Sequence, residues 1–357
     1  MSSEDQAADD AAPGWDAITA ATDRLYPGQE PRHVGTLVPW ALGGPDPLTG
    51  ISAWHRTDPV PHWHYVTYGF SELYEKESDD PDISGYGFEL TFRLACDPLA
   101  EEPPAWVYNM LQNIARYVFK TGNVFDDGQW MNANGPIARD DPTLLESVGF
   151  LFDPELPAID TPNGRLAFLQ LVGLTVDEER AAKQWSTRKL LEALLPAMPL
   201  WVTDLARPSL LDRPEIAAAV REGTARDGSS TGLLYTDMLT WTREKRFLRP
   251  TLTVVEIGAA QIEGLVGLLV LRLPFGKPLR MIGGTARLAF EPGTADLVEE
   301  ADGELRVQLT PATLDALIRT LQPKAGSYTV PGLDAVRWDV RQSTITDGAG
   351  KVVKTIG

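Results

Sequence analysis

The stretch GFELTFRLACDPLAEEPPAWVYNMLQNIARYVFKTG, residues 87–122, contains the two clearest elements of the chain. Its first part alternates apolar and polar residues, which is typical of a strand with one buried face. The apolar face of that strand consists of Phe88, Leu90, Phe92 and Leu94. After two prolines, apolar side chains recur at helical spacing as far as Gly122, a residue type that often follows the last turn of a helix. A strand and a helix in one segment predict a mixed α/β domain.

The flanking sequence continues this mixed pattern. Residues 15–26 predict a short helix, and residues 63–69 and 166–174 predict strands. TVDE, residues 175–178, has the pattern of a capping box in which Thr175 caps a helix and Glu178 reaches back to it. The helix that follows is expected to run through Trp185 toward Leu195, and residues 201–205 then predict another strand.

The second half of the chain is rich in apolar runs that predict strands. These runs are residues 251–258, 265–273, 285–291, 305–310 and 335–342. Residues 311–322 predict a helix, with Thr310 as its N-cap and Pro311 in the first helical position.

Length and pattern together predict two domains. At 357 residues the chain exceeds what one hydrophobic core usually supports. We expect a disordered tail over residues 1–14, an N-terminal domain over 15–226 and a C-terminal domain over 227–357. The fold class is α+β, since neither half shows regular βαβ alternation. Each domain should be a mixed α/β unit with largely antiparallel or mixed sheets packed by helices.

Composition excludes several classes of function. The net charge of −18 disfavours nucleic-acid binding, because such a surface repels phosphates. It favours a basic partner, or it simply keeps the protein soluble. No apolar run is long enough to predict a membrane span. Cys96 is the single cysteine, so an internal disulfide is impossible and a cytoplasmic location is expected. The excess of arginine over lysine suggests a bacterial gene.

His62 and His64 are the candidate metal ligands, because alternate residues of a strand point to the same face. A metal site needs three or four ligands, and Glu72 and Glu75 are the nearby acids that could complete one. A metal-dependent enzyme built on this pair is therefore the alternative function. A packed aromatic cluster with Trp63 is the simpler interpretation, and we expect no metal and no cofactor.

Other catalytic patterns are absent from the sequence. Neither a GxxxxGK[ST] phosphate loop nor a GxSxG nucleophile elbow occurs. The acidic groups DDPD (79–82), FDDG (125–128) and ARDD (138–141) lie beside Gly or Pro and are typical of solvated loops. They lack the spacing of a calcium loop.

Several of these segments together resemble the Suppressor of fused (SUFU) family. They are HWHYVTYGFSELY, SGYGFELTFRL, PPAWVYNMLQNIARYVFKTGNVF, FLQLVGLT and WVTDL, and in the second half VVEIGAAQIEGLVGLLVLRLP. The resemblance covers nearly all of residues 30–345. It implies a non-enzymatic protein of two mixed α/β domains that holds an extended partner segment in a cleft between them, paired as an added strand.

The resemblance also implies the partner-binding residues. The family's peptide-contacting tyrosine corresponds to Tyr117, for which simple packing of the helix is the competing interpretation. The family's acidic position in the next loop corresponds to Gln129, with Asp126 and Asp127 close enough to substitute and Trp130 beside it.

The family's pairing strand corresponds to residues 232–241. Leu233, Tyr235 and Asp237 share one face of that segment.

The predicted function is that of a protein-binding module that sequesters or inhibits its partner. Bacterial relatives resemble immunity proteins, so a toxin domain is one candidate partner. A purely structural scaffold is a further alternative.

Overall fold

The structure of the chain is a computed structural model that describes residues 11–246, 249–346 and 352–357. The predicted tail over residues 1–14 falls mostly outside the described residues, but the first helix begins at Pro13. Within the described residues the helices are α1 Pro13–Leu25, α2 Ala105–Thr121, α3 Val176–Gln184, α4 Thr187–Leu194, α5 Pro214–Asp227, α6 Ala259–Leu269 and α7 Pro311–Thr320. None of the helices in these ranges is both long and apolar enough to cross a membrane.

The chain forms two compact units. Unit 1 contains the described residues up to Ala182 together with Thr187–Ala219, and unit 2 contains Lys183–Ser186 and Val220–Gly357. The division therefore falls inside α5. The short piece Lys183–Ser186 belongs to unit 2, although the residues before and after it in the sequence belong to unit 1. The predicted domain limits at residues 226 and 227 stay a prediction.

Unit 1 is built on one large mixed sheet. Its strands are β1 Arg32–Gly35, β2 Gly50–Arg56, β3 His62–Tyr68, β4 Ile83–Ala95, β5 Trp130–Asn132, β6 Leu145–Phe152, β7 Ile159–Thr161 and β8 Gly164–Thr175. Their order is β1-β2-β3-β4-β8-β6-β5, with β7 paired to β8, and only the β4–β8 pair is parallel among these described strands. β1 and β5 are consequently the two outermost strands of this order.

Helix α2 packs against the core of unit 1 through one face. Val107, Leu111, Ile114 and Val118 of that face are buried at helical spacing. Two prolines precede the helix, and Gly122 ends it in the left-handed conformation, where its N–H bonds to the Val118 carbonyl at 2.8 Å. The strand and helix expected from residues 87–122 are thus confirmed.

Unit 2 holds two mixed sheets and a two-stranded ribbon. Its strands are β9 Leu233–Tyr235, β10 Leu239–Arg246, β11 Arg249–Gly258, β12 Leu279–Gly283, β13 Ala286–Pro292, β14 Leu297–Ala301, β15 Glu304–Leu309, β16 Gly326–Thr329, β17 Val336–Arg341, β18 Ser343–Thr346 and β19 Val352–Ile356. The sheet orders are β10-β11-β17-β16 and β14-β15-β13-β12-β9, and β18 pairs with β19. Residues from both larger sheets and from α6 and α7 share one apolar core.

One predicted strand in unit 2 is wrong. The apolar run at 265–273 continues helix α6 and then enters a short 3-10 turn at Leu273–Phe275. Residues 262, 265 and 268 face the core at intervals of one helical turn, so the run is helical although it is apolar on every side. Residues 201–205, also predicted as a strand, form only an isolated bridge from Thr203 to Leu94.

Candidate functional site

Strand β9 of unit 2 is one of the two outermost strands of its sheet among the described residues. It pairs in parallel with β12, using the carbonyl of Gly232 and the N–H of Thr236 in bonds of 2.9 Å to Arg280 and Ile282. Successive peptide groups of a strand point to opposite edges, so the N–H and C=O groups of Leu233 and Tyr235 face away from β12. This edge can accept a further strand.

The side chains of β9 divide into two sets. Leu234 packs against the core of unit 2, whereas Leu233, Tyr235 and Asp237 are exposed, and Tyr235 reaches an exposed fraction of 70%. A hollow of about 700 Å³ begins at Asp237 and is lined by Trp241 and Arg341 among others. An added strand would therefore find backbone partners along β9, and the hollow lies where the chain continues from Asp237.

Tyr117 of unit 1 lies beside a second hollow, of about 400 Å³, between α2 and the β5 segment. Its hydroxyl accepts a hydrogen bond from the Asn123 amide at 3.0 Å, and its ring lies 5.9 Å from that of Phe125. The exposed fraction of 41% shows that Tyr117 is on the border of the apolar face rather than inside the core. Ile114 and Val148 form an apolar floor near it.

The acidic loop before β5 is more constrained than its composition suggests. Asp127 forms an ion pair with Arg188 and accepts the Phe152 N–H at 3.2 Å, so its side chain is only 14% exposed. Asp126 is exposed, although its carboxylate caps the Asp127 N–H at 2.7 Å. Of the two aspartates, Asp126 is the one that a partner can reach.

Gln129 immediately precedes β5, and Trp130 is the first residue of this outermost strand. The Gln129 side chain is exposed, and the backbone carbonyl of Gln129 accepts the Phe150 N–H at 2.9 Å. Trp130 is half-buried and opens β5, which pairs only with β6 among the described strands. The predicted residues of unit 1 thus gather around one sheet edge and the adjacent hollow.

His62 and His64 are fully buried on β3 and contact different partners. His62 Nδ1 bonds to the Val60 carbonyl at 2.7 Å, whereas His64 Nδ1 bonds to the Tyr26 hydroxyl at 2.6 Å. His64 Nε2 lies 3.3 Å from Asp153. No cluster of three His, Cys, Asp or Glu side chains suited to a metal ion occurs in the described parts of the chain. The pair is therefore part of the packed interior.

A buried ion network explains the environment of His64. Arg93 contacts Asp153 through both terminal nitrogens, at 2.7 and 3.1 Å, and Glu155 at 3.0 Å. Burial by itself would raise the pKa of Asp153, but the Arg93 guanidinium holds that pKa well below its usual range. Burial lowers the pKa of His62 and of His64 to about 4, and the positive charge of Arg93 acts in the same direction. Both imidazoles are neutral at neutral pH.

Comparison with known proteins decides the family. A family model described as Suppressor of fused protein (SUFU) matches residues 44–208. A chain of the Sufu-Fu complex crystal structure is 32% identical, with 98% of that chain and 59% of this one covered at a TM-score of 0.55. The chain belongs to the Suppressor of fused family.

Two further relatives define the extent of this likeness. The human Suppressor of fused homolog is 34% identical over 236 residues, which cover 61% of this chain and 48% of the human protein. The chain thus spans about half the length of the curated SUFU relatives that it matches. The Drosophila Suppressor of fused crystal structure is 22% identical and matches 92% of this chain and 97% of its own with a TM-score of 0.79. That likeness shows the fold and confirms the predicted α+β class.

Sequence reasoning about the SUFU site missed the local partners of its residues. Arg188, which holds Asp127, lies on α4 and is 61 positions away in the chain. Asn132 of β5 donates to Ser147 at 3.2 Å and to Glu179 at 2.7 Å. These bonds hold β5 to residues that are distant in the sequence. Such long-range contacts leave no periodic signal in the sequence.

Proposed function

We propose that this protein is a non-enzymatic binding module that captures an extended segment of a partner protein by adding it as a strand at the edge of β9. The observation that carries the proposal is the outward-facing backbone of Leu233 and Tyr235 beside exposed side chains. Main-chain hydrogen bonds would supply affinity, and contacts with Tyr235 and Asp237 would supply selectivity.

Membership of the SUFU family supports a regulatory binding role. The matched complex structure is named for Sufu together with Fu, so a family member binds a protein partner. In this chain the second surface, around Tyr117 and the β5 edge of unit 1, offers a hollow for a partner side chain. That a single segment contacts both surfaces from a cleft stays a prediction.

The chemistry of the surface favours a basic partner. The net charge of −18 would steer a cationic protein toward the chain, and Asp126 and Asp237 are exposed at the two candidate surfaces. We further propose that binding sequesters or inhibits the partner in the cytoplasm, and that in a bacterial cell this partner is a toxin that the protein neutralises. The single cysteine and the acidic surface are the features that support these finer assignments.

A proline substitution in β9 tests the strand-addition proposal. Tyr235→Pro removes an N–H that faces away from β12 and should leave the sheet intact, because proline is tolerated on the open side of an edge strand. Tyr235→Ala removes the same side chain but keeps the N–H. Tagged forms of both variants and of the unaltered protein would be purified from the source organism after crosslinking, and captured proteins would be quantified by mass spectrometry.

The expected outcome is a specific protein captured by the unaltered chain, reduced for Tyr235→Ala and lost for Tyr235→Pro. Circular dichroism and thermal unfolding should show all three folded. Equal capture by all three proteins would refute binding at this edge. Capture that Tyr235→Ala abolishes as fully as Tyr235→Pro would show side-chain recognition without strand addition.

A further inference from the structure

A third surface, in unit 1, is not used by the proposed function. It is a groove of about 560 Å³ lined by the β1–β2 loop, by residues 69–86 and by Phe119 of α2. The β1–β2 loop begins at the outermost strand opposite β5 in the sheet order. On α2, Tyr117 and Phe119 are two residues apart and so point about 200° from one another. The groove and the Tyr117 hollow therefore lie on different sides of this helix.

The groove is aromatic and open to solvent. The Phe119 ring lies 5.0 Å from that of Tyr86 and 6.0 Å from that of Trp40, which is itself 43% exposed. Tyr74 also lines the groove and is 52% exposed. Exposed apolar groups gathered around one concavity mark an interaction site more often than chance.

The exposure of Trp40 is built into the loop. Gly43 and Gly44 bond back to the carbonyls of Trp40 and Pro39 at 2.9 and 3.1 Å. A Cβ at Gly44 would lie 1.9 Å from the Val38 carbonyl oxygen, so this turn requires glycine. The loop is also tied to α2, because Gln112 exchanges two 3.2 Å hydrogen bonds with the backbone of Leu48 and Asp46 pairs with Arg116. A turn held this firmly presents its apolar side chains in a defined direction.

The rim of the groove is acidic. Residues 72–82 contain six acids and one basic residue, Lys76. Lys76 is paired with Glu72 at 3.0 Å, whereas Glu75 and Glu77 line the groove with exposed side chains, and Asp79 and Asp80 follow them in the loop. An acidic rim repels anionic lipid surfaces and attracts cationic groups. Apolar floor and acidic rim together fit a polypeptide segment that carries aromatic or aliphatic residues among lysines and arginines.

We propose that this groove, which we call the Trp40 groove, is a second docking site for a basic, aromatic-containing polypeptide segment, separate from the β9 edge. Apolar side chains of the segment contact Trp40, Tyr74 and Phe119, and its cations contact Glu75 and Glu77. The site goes beyond the proposed function, and it allows the chain to hold a partner at a position that strand addition does not occupy.

The test uses three fluorescein-labelled peptides and fluorescence anisotropy. The first alternates Lys and Arg with Trp, Leu and Phe; the second has Ser in place of the apolar residues; the third has Glu in place of the basic ones. We expect the first peptide to bind and the other two to bind at least about tenfold more weakly, which corresponds to about 1.4 kcal/mol. Its affinity should fall with rising salt.

Variants locate the binding. Trp40→Ala and Tyr74→Ser should each weaken the first peptide by about tenfold, and Glu75→Gln combined with Glu77→Gln should weaken it and flatten the salt dependence. Leu99→Ala removes an exposed leucine outside the groove and serves as the matched control. Tyr235→Pro should bind the peptide as the unaltered protein does, so failure of the β9 proposal and failure of this one are distinguishable.

Two outcomes would overturn the proposal. Peptide affinity unchanged by Trp40→Ala and by Tyr74→Ser would place the binding elsewhere. A concentration-dependent dimer in analytical ultracentrifugation that Trp40→Ala abolishes would make a second copy of this chain the occupant.

Discussion

The interiors of the two units differ in kind. Unit 1 buries many ionisable side chains within its sheet and helices: His62, His64, Glu89, Arg93, Asp153, Glu178, Glu179 and Arg207. Among the described residues of unit 2, the buried charged side chains are Arg272 and Asp339, and its core is a continuous apolar cluster around Trp338 and Phe290. The interior of unit 1 therefore includes paired charges, whereas that of unit 2 consists mainly of packed apolar side chains.

Breaking the ion network should have the largest effect. Arg93→Met leaves Asp153 buried without its main counter-charge, which should lower the free energy of unfolding of unit 1 by about 3–5 kcal/mol. Urea unfolding followed by hydrogen-exchange mass spectrometry would report each unit separately. The matched change in unit 2, Arg280→Met, removes a pair between an exposed arginine and Glu304 and should cost about 1 kcal/mol or less. A small effect at Arg93 would show that the network is dispensable.

A cavity should act on unit 2 alone. Leu288 of β13 is fully buried, so Leu288→Ala should lower the free energy of unfolding of unit 2 by about 2–5 kcal/mol. The same exchange measurement should show unit 1 peptides unaffected and the loss independent of pH. Leu297→Ala, at an exposed position of β14, is the control and should change stability by no more than about 0.5 kcal/mol. Equal losses in both units would contradict the division.

Acid should destabilise unit 1 before unit 2. The folded pKa of His64, about 4, lies below its unfolded value of about 6.5. Between these pH values His64 is protonated in the unfolded chain but stays neutral in the folded one. The free energy of unfolding therefore falls by about 1.4 kcal/mol per pH unit from His64. The groups facing His64 are Tyr26, Arg93, Asp153 and His62.

Unit 2 contains none of the four histidines, which stand at positions 33, 55, 62 and 64. Hydrogen exchange from about pH 7 to 5, corrected for the intrinsic rate, should therefore show protection falling in unit 1 and constant in unit 2. His64→Gln should reduce the slope in unit 1. An unchanged slope in this variant would assign the acid sensitivity to another group.

The smallest effect concerns a helix cap in unit 2. Thr310 accepts the Thr313 N–H at 3.3 Å at the start of α7, as its position before Pro311 predicts. Thr310→Ala should lower the free energy of unfolding by about 1 kcal/mol, and Thr310→Ser should restore most of it. Thermal unfolding of the three proteins would show this order. Equal melting temperatures would show that the Thr310 cap does not contribute to stability.

Periodicity predicted the elements whose buried face alternates cleanly with a polar one. The strand at 87–95 and the helix that ends at Gly122 are confirmed because one face of each meets the core. The strand predicted at 265–273 was wrong because this run, which begins inside α6, is almost entirely apolar, and an apolar run alone does not distinguish a strand from a buried helix.

The candidate site was predictable only in part. That Leu233, Tyr235 and Asp237 share one face follows from strand geometry once the resemblance marks the segment as a strand, and all three are exposed. Their role in partner binding stays a prediction. The engagement of Asp127 by Arg188 depends on the fold, and no local pattern announces it. The Trp40 groove was invisible for the same reason: its walls come from three segments that the sequence shows only as a loop, a turn and a helix.

The short piece Lys183–Ser186 has a practical consequence for dissecting the protein. The Trp185 indole is buried, donates to Asp227 at 2.9 Å and lies so close to Gly223 that an added Cβ would be 2.2 Å from the ring. A fragment that stops at residue 219 would retain this indole. It would lose Asp227, which accepts the hydrogen bond of the indole, and Gly223, which leaves space for the ring. Such a truncation would expose the apolar surface of the indole. Aggregation of the isolated N-terminal half would then result from the position of the cut and not from low stability of the unit 1 sheet.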